Sequence, residues 1–142
     1  MAKMIFVNLP VADVAAATAF YAAIGMTKDA RFSNDVASAM VWSDTISFLL
    51  LDHAYFSTFT AKRIVDAHDS SEVLLCLSQE SRDAVDAITD AALAAGGTEP
   101  RAVQDHGFMY GRTFTDLDGH IFEPMFMDME AAMAAMGQAR PD

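Results

Sequence analysis

The feature that most restricts the fold of this chain is an order of elements that runs twice. A strand, a helix, a glycine and three strands can be read in the first half and again in the second. Gly25 and Thr27 precede Gly96 and Thr98 by the same 71 residues, and each pair ends a helical stretch and opens a strand. Few other letters match, so the repeat lies in the order of elements. A period this long points to duplicated half-domains rather than a solenoid. The expectation is an α+β fold: two βαβββ modules in tandem form a half-open mixed-sheet barrel with a cleft, and a C-terminal helix follows. Such a cleft is the default ligand site.

Module one is expected over residues 1–52. Met4–Leu9 is an apolar strand, and Asp13 can cap a helix over Val14–Ile24 whose Val14, Ala17, Tyr21 and Ile24 share one face. Thr27–Phe32, Ala37–Ser43 and Thr45–Leu51 read as strands. A connector with a short helical turn covers 53–70, and module two covers 71–127. In it, Val73–Ser78 is a strand and a helix runs from about Ser81 to Ala95. Thr98–Val103, Phe108–Thr115 and His120–Met127 are strands, and Asp116–Gly119 is a tight turn. The tail, 128–142, is rich in Met and Ala and reads as a terminal helix.

Composition narrows the class further. Of 142 residues, 53% are hydrophobic, enough for a packed core. No apolar run approaches the ~20 residues that span a bilayer, and the first residues lack the apolar stretch of a signal peptide. A cytoplasmic protein without a membrane partner is expected. The net charge is −11 and no basic run occurs, which excludes a nucleic-acid partner. Cys76 is the only cysteine, so no intramolecular disulfide can form. Its apolar neighbours suggest a buried structural thiol.

Two stretches carry a family resemblance. Phe6-Val-Asn-Leu-Pro-Val-Ala-Asp13, followed by Ala19-Phe-Tyr21 and Ile24-Gly25, resembles the opening of vicinal-oxygen-chelate proteins. These are the glyoxalases, bleomycin- and fosfomycin-resistance proteins and extradiol dioxygenases. Asp116-Leu-Asp-Gly-His-Ile-Phe-Glu123 resembles their closing hairpin. The resemblance covers Met4 to Met127. It implies a small-molecule ligand, a homodimer and often a divalent metal that binds two neighbouring substrate oxygens as a Lewis acid.

The resemblance also implies where metal ligands stand. The first falls on Phe6 and another near Leu49; the second-half counterpart falls among Val73, Leu74 and Leu75. All are apolar. Only Glu123 matches, and one carboxylate cannot hold a transition metal tightly. A divalent metal is therefore allowed but not expected as a cofactor. His53, His68, His106 and His120 fall at none of these positions and read as surface or turn residues.

Glu123 lies between Ile121 and Met125 on one strand face, where a carboxylate needs a compensating partner. A four-residue turn would pair it with Arg112; a three-residue turn with a bulge would bring Thr113 opposite it. The turn chemistry favours the second. Its candidate roles are general base, substrate anchor or a neutralised structural acid. Asn8 could add an amide contact, with Phe6, Leu49 and Leu74 as apolar lining and Trp42, Phe108 and Tyr110 as aromatic walls. Met125, Met127, Met129, Met133 and Met136 read as packing for the tail or an adaptable interface. Two functions remain open: a metal-free small-molecule binder, or a metal-dependent lyase, isomerase or dioxygenase that uses Glu123.

Overall fold

The computed structural model describes residues 1–139, so the last three residues of the tail expected over 128–142 lie outside the described residues. The chain forms two compact units. The first comprises Met1–Ser71 together with Asp116–His120; the second comprises Glu72–Thr115 and the chain from Ile121 onward. Each contains one open mixed sheet.

In the first unit, β1 (Ile5–Val11) leads to α1 (Val14–Ala23). The Asp13 side chain caps α1 by accepting from the Ala16 N–H, and Gly25 leaves it at φ 104°. β2 (Thr27–Asp29), β3 (Ala37–Val41) and β4 (Ile46–Asp52) complete a sheet of order β1-β4-β3-β2. β1 runs parallel to β4, and the other pairs are antiparallel. Ala17, Phe20 and Tyr21 of α1 are buried, and Tyr21 stacks on Phe48. Val7, Leu9, Phe48, Leu50 and Met40 therefore form the helix side of the sheet, and the alternate residues face the other way. α2 (His53–Phe56) is the short turn expected in the connector, capped by Asp52.

In the second unit, β5 (Leu75–Ser78) leads to α3 (Arg82–Ala94), which Ser81 caps. β6 (Gln104–Asp105), β7 (Met109–Gly111), β8 (Phe114–Thr115) and β9 (Ile121–Met127) follow, in the order β5-β9-β7-β6 with β8 also on β9. β7 and β8 keep one register along β9, so they are a single strand interrupted at Arg112 and Thr113. The βαβββ order thus recurs. Val85, Ile88 and Ala92 bury the inner face of α3, as their spacing predicts. Phe114 and Phe122 stack in the core. α4 (Met129–Ala139) starts where Asp128 accepts from the Ala131 N–H.

Several strands differ from expectation. Thr27–Phe32 ends at Asp29, whose carboxylate accepts from the Arg31 amide and starts a 3-10 turn over Ala30–Phe32. Thr98–Val103 is no strand: Thr98 alone bridges to Thr115, and Pro100, which lacks an N–H, follows two residues later. Met129, Met133 and Met136 do not pack the tail down; they are exposed, while Ala132 of α4 is buried.

The turn between β8 and β9 is crowded at Gly119. Asp116 and His120 pair, and Gly119 has φ 92°. A Cβ at Gly119 would lie 2.6 Å from the His68 nitrogen and 2.8 Å from the Ala67 oxygen. Gly119→Ala therefore meets both the steric cost of positive φ and rigid backbone, and should lower unfolding free energy by about 2 kcal/mol or more. Gly137→Ala in α4, where nothing lies within 4 Å, should be neutral or stabilising. Denaturant melts of both variants check this; equal midpoints would refute the packing at Gly119.

Candidate functional site

The sheet surfaces away from α1 and α3 carry the chemistry. In the first unit this open face holds Phe6, Asn8 and Leu49, with Asn8 directly beside Leu49. Phe6 is 54% exposed although it is a large apolar side chain in a strand. β1 is an edge strand, so only β4 flanks it. Ser47, beside Phe6, is buried and polar.

In the second unit the open face centres on Glu123. The shared register of β7 and β8 along β9 places Thr113 opposite it, the arrangement that the three-residue turn requires, and Thr113 is buried. On the other flank, Glu123 pairs with Cys76 of β5. Cys76 is exposed, which corrects its reading as a buried thiol. Strand alternation explains the reversal: Leu77 points to the core, so Cys76 points away from it. Arg101 brings its Nη1 to 3.9 Å from Glu123 Oε2. Arg101 belongs to a loop, Glu99–Val103, that lines an open hollow of about 450 Å³.

The other sequence candidates lie elsewhere. Arg112 turns to the helix side and is clamped by Glu99 at 2.8 Å, Asp86 at 3.0 Å and Asp90 at 3.1 Å. Glu99, first among them, raises the guanidinium pKa further, and Arg112 in turn holds Glu99 below the ordinary carboxylate range. The Tyr110 hydroxyl donates to Asp86 on the same side. Trp42 follows β3 with its N–H on the Ile46 carbonyl, which aligns it with Met40 and Phe48 rather than with Phe6. Leu74 is exposed one residue before β5, and Phe108 precedes β7 beside the His106 ring. The open faces thus carry Phe6, Asn8 and Leu49 in one unit and Thr113 and Glu123 in the other. Cys76 and Arg101 were missed. The alternation within Val73–Ser78 was the available signal for Cys76, whereas nothing local marks Arg101.

The donor set does not fit a bound transition metal. Phe6 and Leu49 have no lone pairs to give. Among the described residues, no group of three or more His, Cys, Asp or Glu side chains is placed to hold a metal ion. Glu123 and Cys76 are two donors of the three or four that such an ion needs.

The Cys76 thiol pKa is raised, first by partial burial and then by the Glu123 charge. Alkylation by iodoacetamide should therefore be slower than for a free cysteine at neutral pH, with its pH midpoint moved upward. Glu123→Gln removes the repelling charge and should speed labelling at pH ~7 roughly two- to fivefold. An unchanged rate would show that the two side chains do not feel each other.

No family model matches the sequence, and no curated protein does. Solved structures do. The chain is similar to a glyoxalase/bleomycin resistance protein/dioxygenase family enzyme from Burkholderia phytofirmans PsJN, with 21% identity, a TM-score of 0.75, and coverage of 89% of this chain and 99% of that one. A glyoxalase-related enzyme from Fulvimarina pelagi gives 18% identity and a TM-score of 0.73, over 89% and 88% of the two chains. A hypothetical protein from S. aureus gives 22% and 0.75, over 89% and 94%. The fold is that of the glyoxalase/bleomycin-resistance/dioxygenase proteins, as the two sequence stretches imply.

Proposed function

We propose that this chain is a glyoxalase/bleomycin-resistance/dioxygenase-type protein that binds an apolar or aromatic small molecule on its open sheet faces, without the metal common in that family. The observation that carries the reading is Phe6: a phenylalanine stands at the first metal-ligand position and is left uncovered. Asn8 beside it supplies a hydrogen-bonding amide, and Leu49 extends the apolar surface. The second unit's own open face offers Glu123 as a polar anchor, with Thr113 and Arg101 as its neighbours. The reading includes a cytoplasmic homodimer. Exposed Ile5, Val73 and Leu74, at or next to the edge strands β1 and β5, offer apolar surface for a second copy. No helix among the described residues is long and apolar enough to cross a membrane.

A second reading is a metal-dependent lyase, isomerase or dioxygenase that uses Glu123. One observation favours it: Cys76 stands beside Glu123 and offers a soft second donor.

A thermal-shift screen of aromatic small molecules, run beside titrations with zinc, nickel, manganese and iron(II), separates the two. The proposal expects a stabilising organic compound whose effect drops at least about threefold in Phe6→Ala, and no stabilisation by metal. Stoichiometric metal on protein purified without chelator, lost in both Glu123→Gln and Cys76→Ala, would overturn it in favour of the enzyme.

A further inference from the structure

Three of the four histidines in the chain line one hollow of the first unit. Its volume is about 240 Å³, and Phe6, Asn8, Leu49, Thr113 and Glu123 are not among the residues that line it. His53 comes from the start of α2, His68 from the connector and His120 from the turn between β8 and β9. Asp66 and Asp118 also line it, over an apolar floor that includes Pro10 and Ile64.

The hydrogen bonds settle which groups have capacity left. His120 Nε2 lies 2.7 Å from the Pro10 carbonyl oxygen. A carbonyl only accepts, so Nε2 carries the proton and Nδ1 keeps a lone pair in the neutral ring. Asp66 accepts from the His68 N–H through Oδ1, and Asp118 accepts from the Ala12 N–H through Oδ1. Each carboxylate has a second oxygen outside those bonds. No lysine or arginine lines the hollow. At neutral pH it therefore presents acceptors and negative charge, on a chain of net charge −11.

We propose that this hollow binds a small organic ammonium: N–H donors meet the carboxylates and imidazoles, and an apolar body rests on the floor. The volume is below the ~300 Å³ of pockets that enclose drug-sized molecules, which restricts the ligand to a compact amine. A bare transition metal fits less well, because no three of these donors converge as a ligand set.

An amide-resolved NMR titration of the full chain with benzylammonium chloride tests this. Shifts should map to His68, Asp118 and His120 and should weaken with added salt. Asp66→Asn and Asp118→Asn keep the oxygen that accepts from His68 and Ala12, so the fold is retained; each should weaken binding about threefold to tenfold. Asp35→Asn, a first-unit carboxylate that does not line the hollow, should leave affinity unchanged, which separates the two lining aspartates from net charge alone. Equal binding of benzoate, unchanged affinity in both aspartate variants, or shifts confined to other residues would each overturn the proposal, as would the absence of any shift.

Discussion

The buried carboxylate of Asp116 is the interaction on which the rest of the structure depends. One oxygen accepts from the amides of Asp118 and His120, and the other accepts from the Tyr21 hydroxyl. Tyr21 is itself fully buried and stacked on Phe48. Burial pushes the Asp116 carboxyl up and the Tyr21 hydroxyl well up, so Tyr21 remains a donor throughout the physiological range. The sign follows for Asp116. A carboxyl raised by folding contributes most below its unfolded pKa, and that contribution is lost as pH rises through the native value. At neutral pH the three donors offset part of that cost.

Those bonds set the geometry of the second sheet through the chain itself. Asp116 and His120 close a three-residue turn, with Gly119 as the residue that can take positive φ against Ala67 and His68. β9 begins at Ile121, directly after the turn, and lies centrally between β5 and β7. The length of the turn therefore decides which residues flank Glu123: Thr113 on one side and Cys76 on the other. One more residue in the turn would have sent Arg112 to that place and broken its clamp to Glu99 and α3.

Much of this was legible in the sequence because it is local. Asp13, Ser81 and the glycines after both helices announce their roles by position, and the three-residue turn follows from Asp116-Leu-Asp-Gly119. The apolar identity of Phe6 and Leu49 needs no coordinates. What was not legible depends on pairing between distant segments. Arg112 finds Asp86 and Asp90 on α3, Arg101 reaches Glu123 from an irregular loop, and the three histidines of the hollow are 15 to 67 positions apart. Trp42, Tyr110 and Arg112 looked like site residues by type, yet strand alternation turns them to the helix side. Cys76 was misjudged for the converse reason: an apolar run hid a residue whose parity exposes it.

Amide hydrogen exchange in Tyr21→Phe tests the anchoring role of Asp116 most directly. Loss of the hydroxyl leaves one carboxylate oxygen without its donor in a buried place, a cost of about 1–3 kcal/mol. The account predicts that exchange at Asp118 and His120 accelerates by about tenfold or more relative to the amides of α3, which are far along the sequence and set by their own packing. Uniform acceleration across both units, or unchanged protection of the turn, would contradict it.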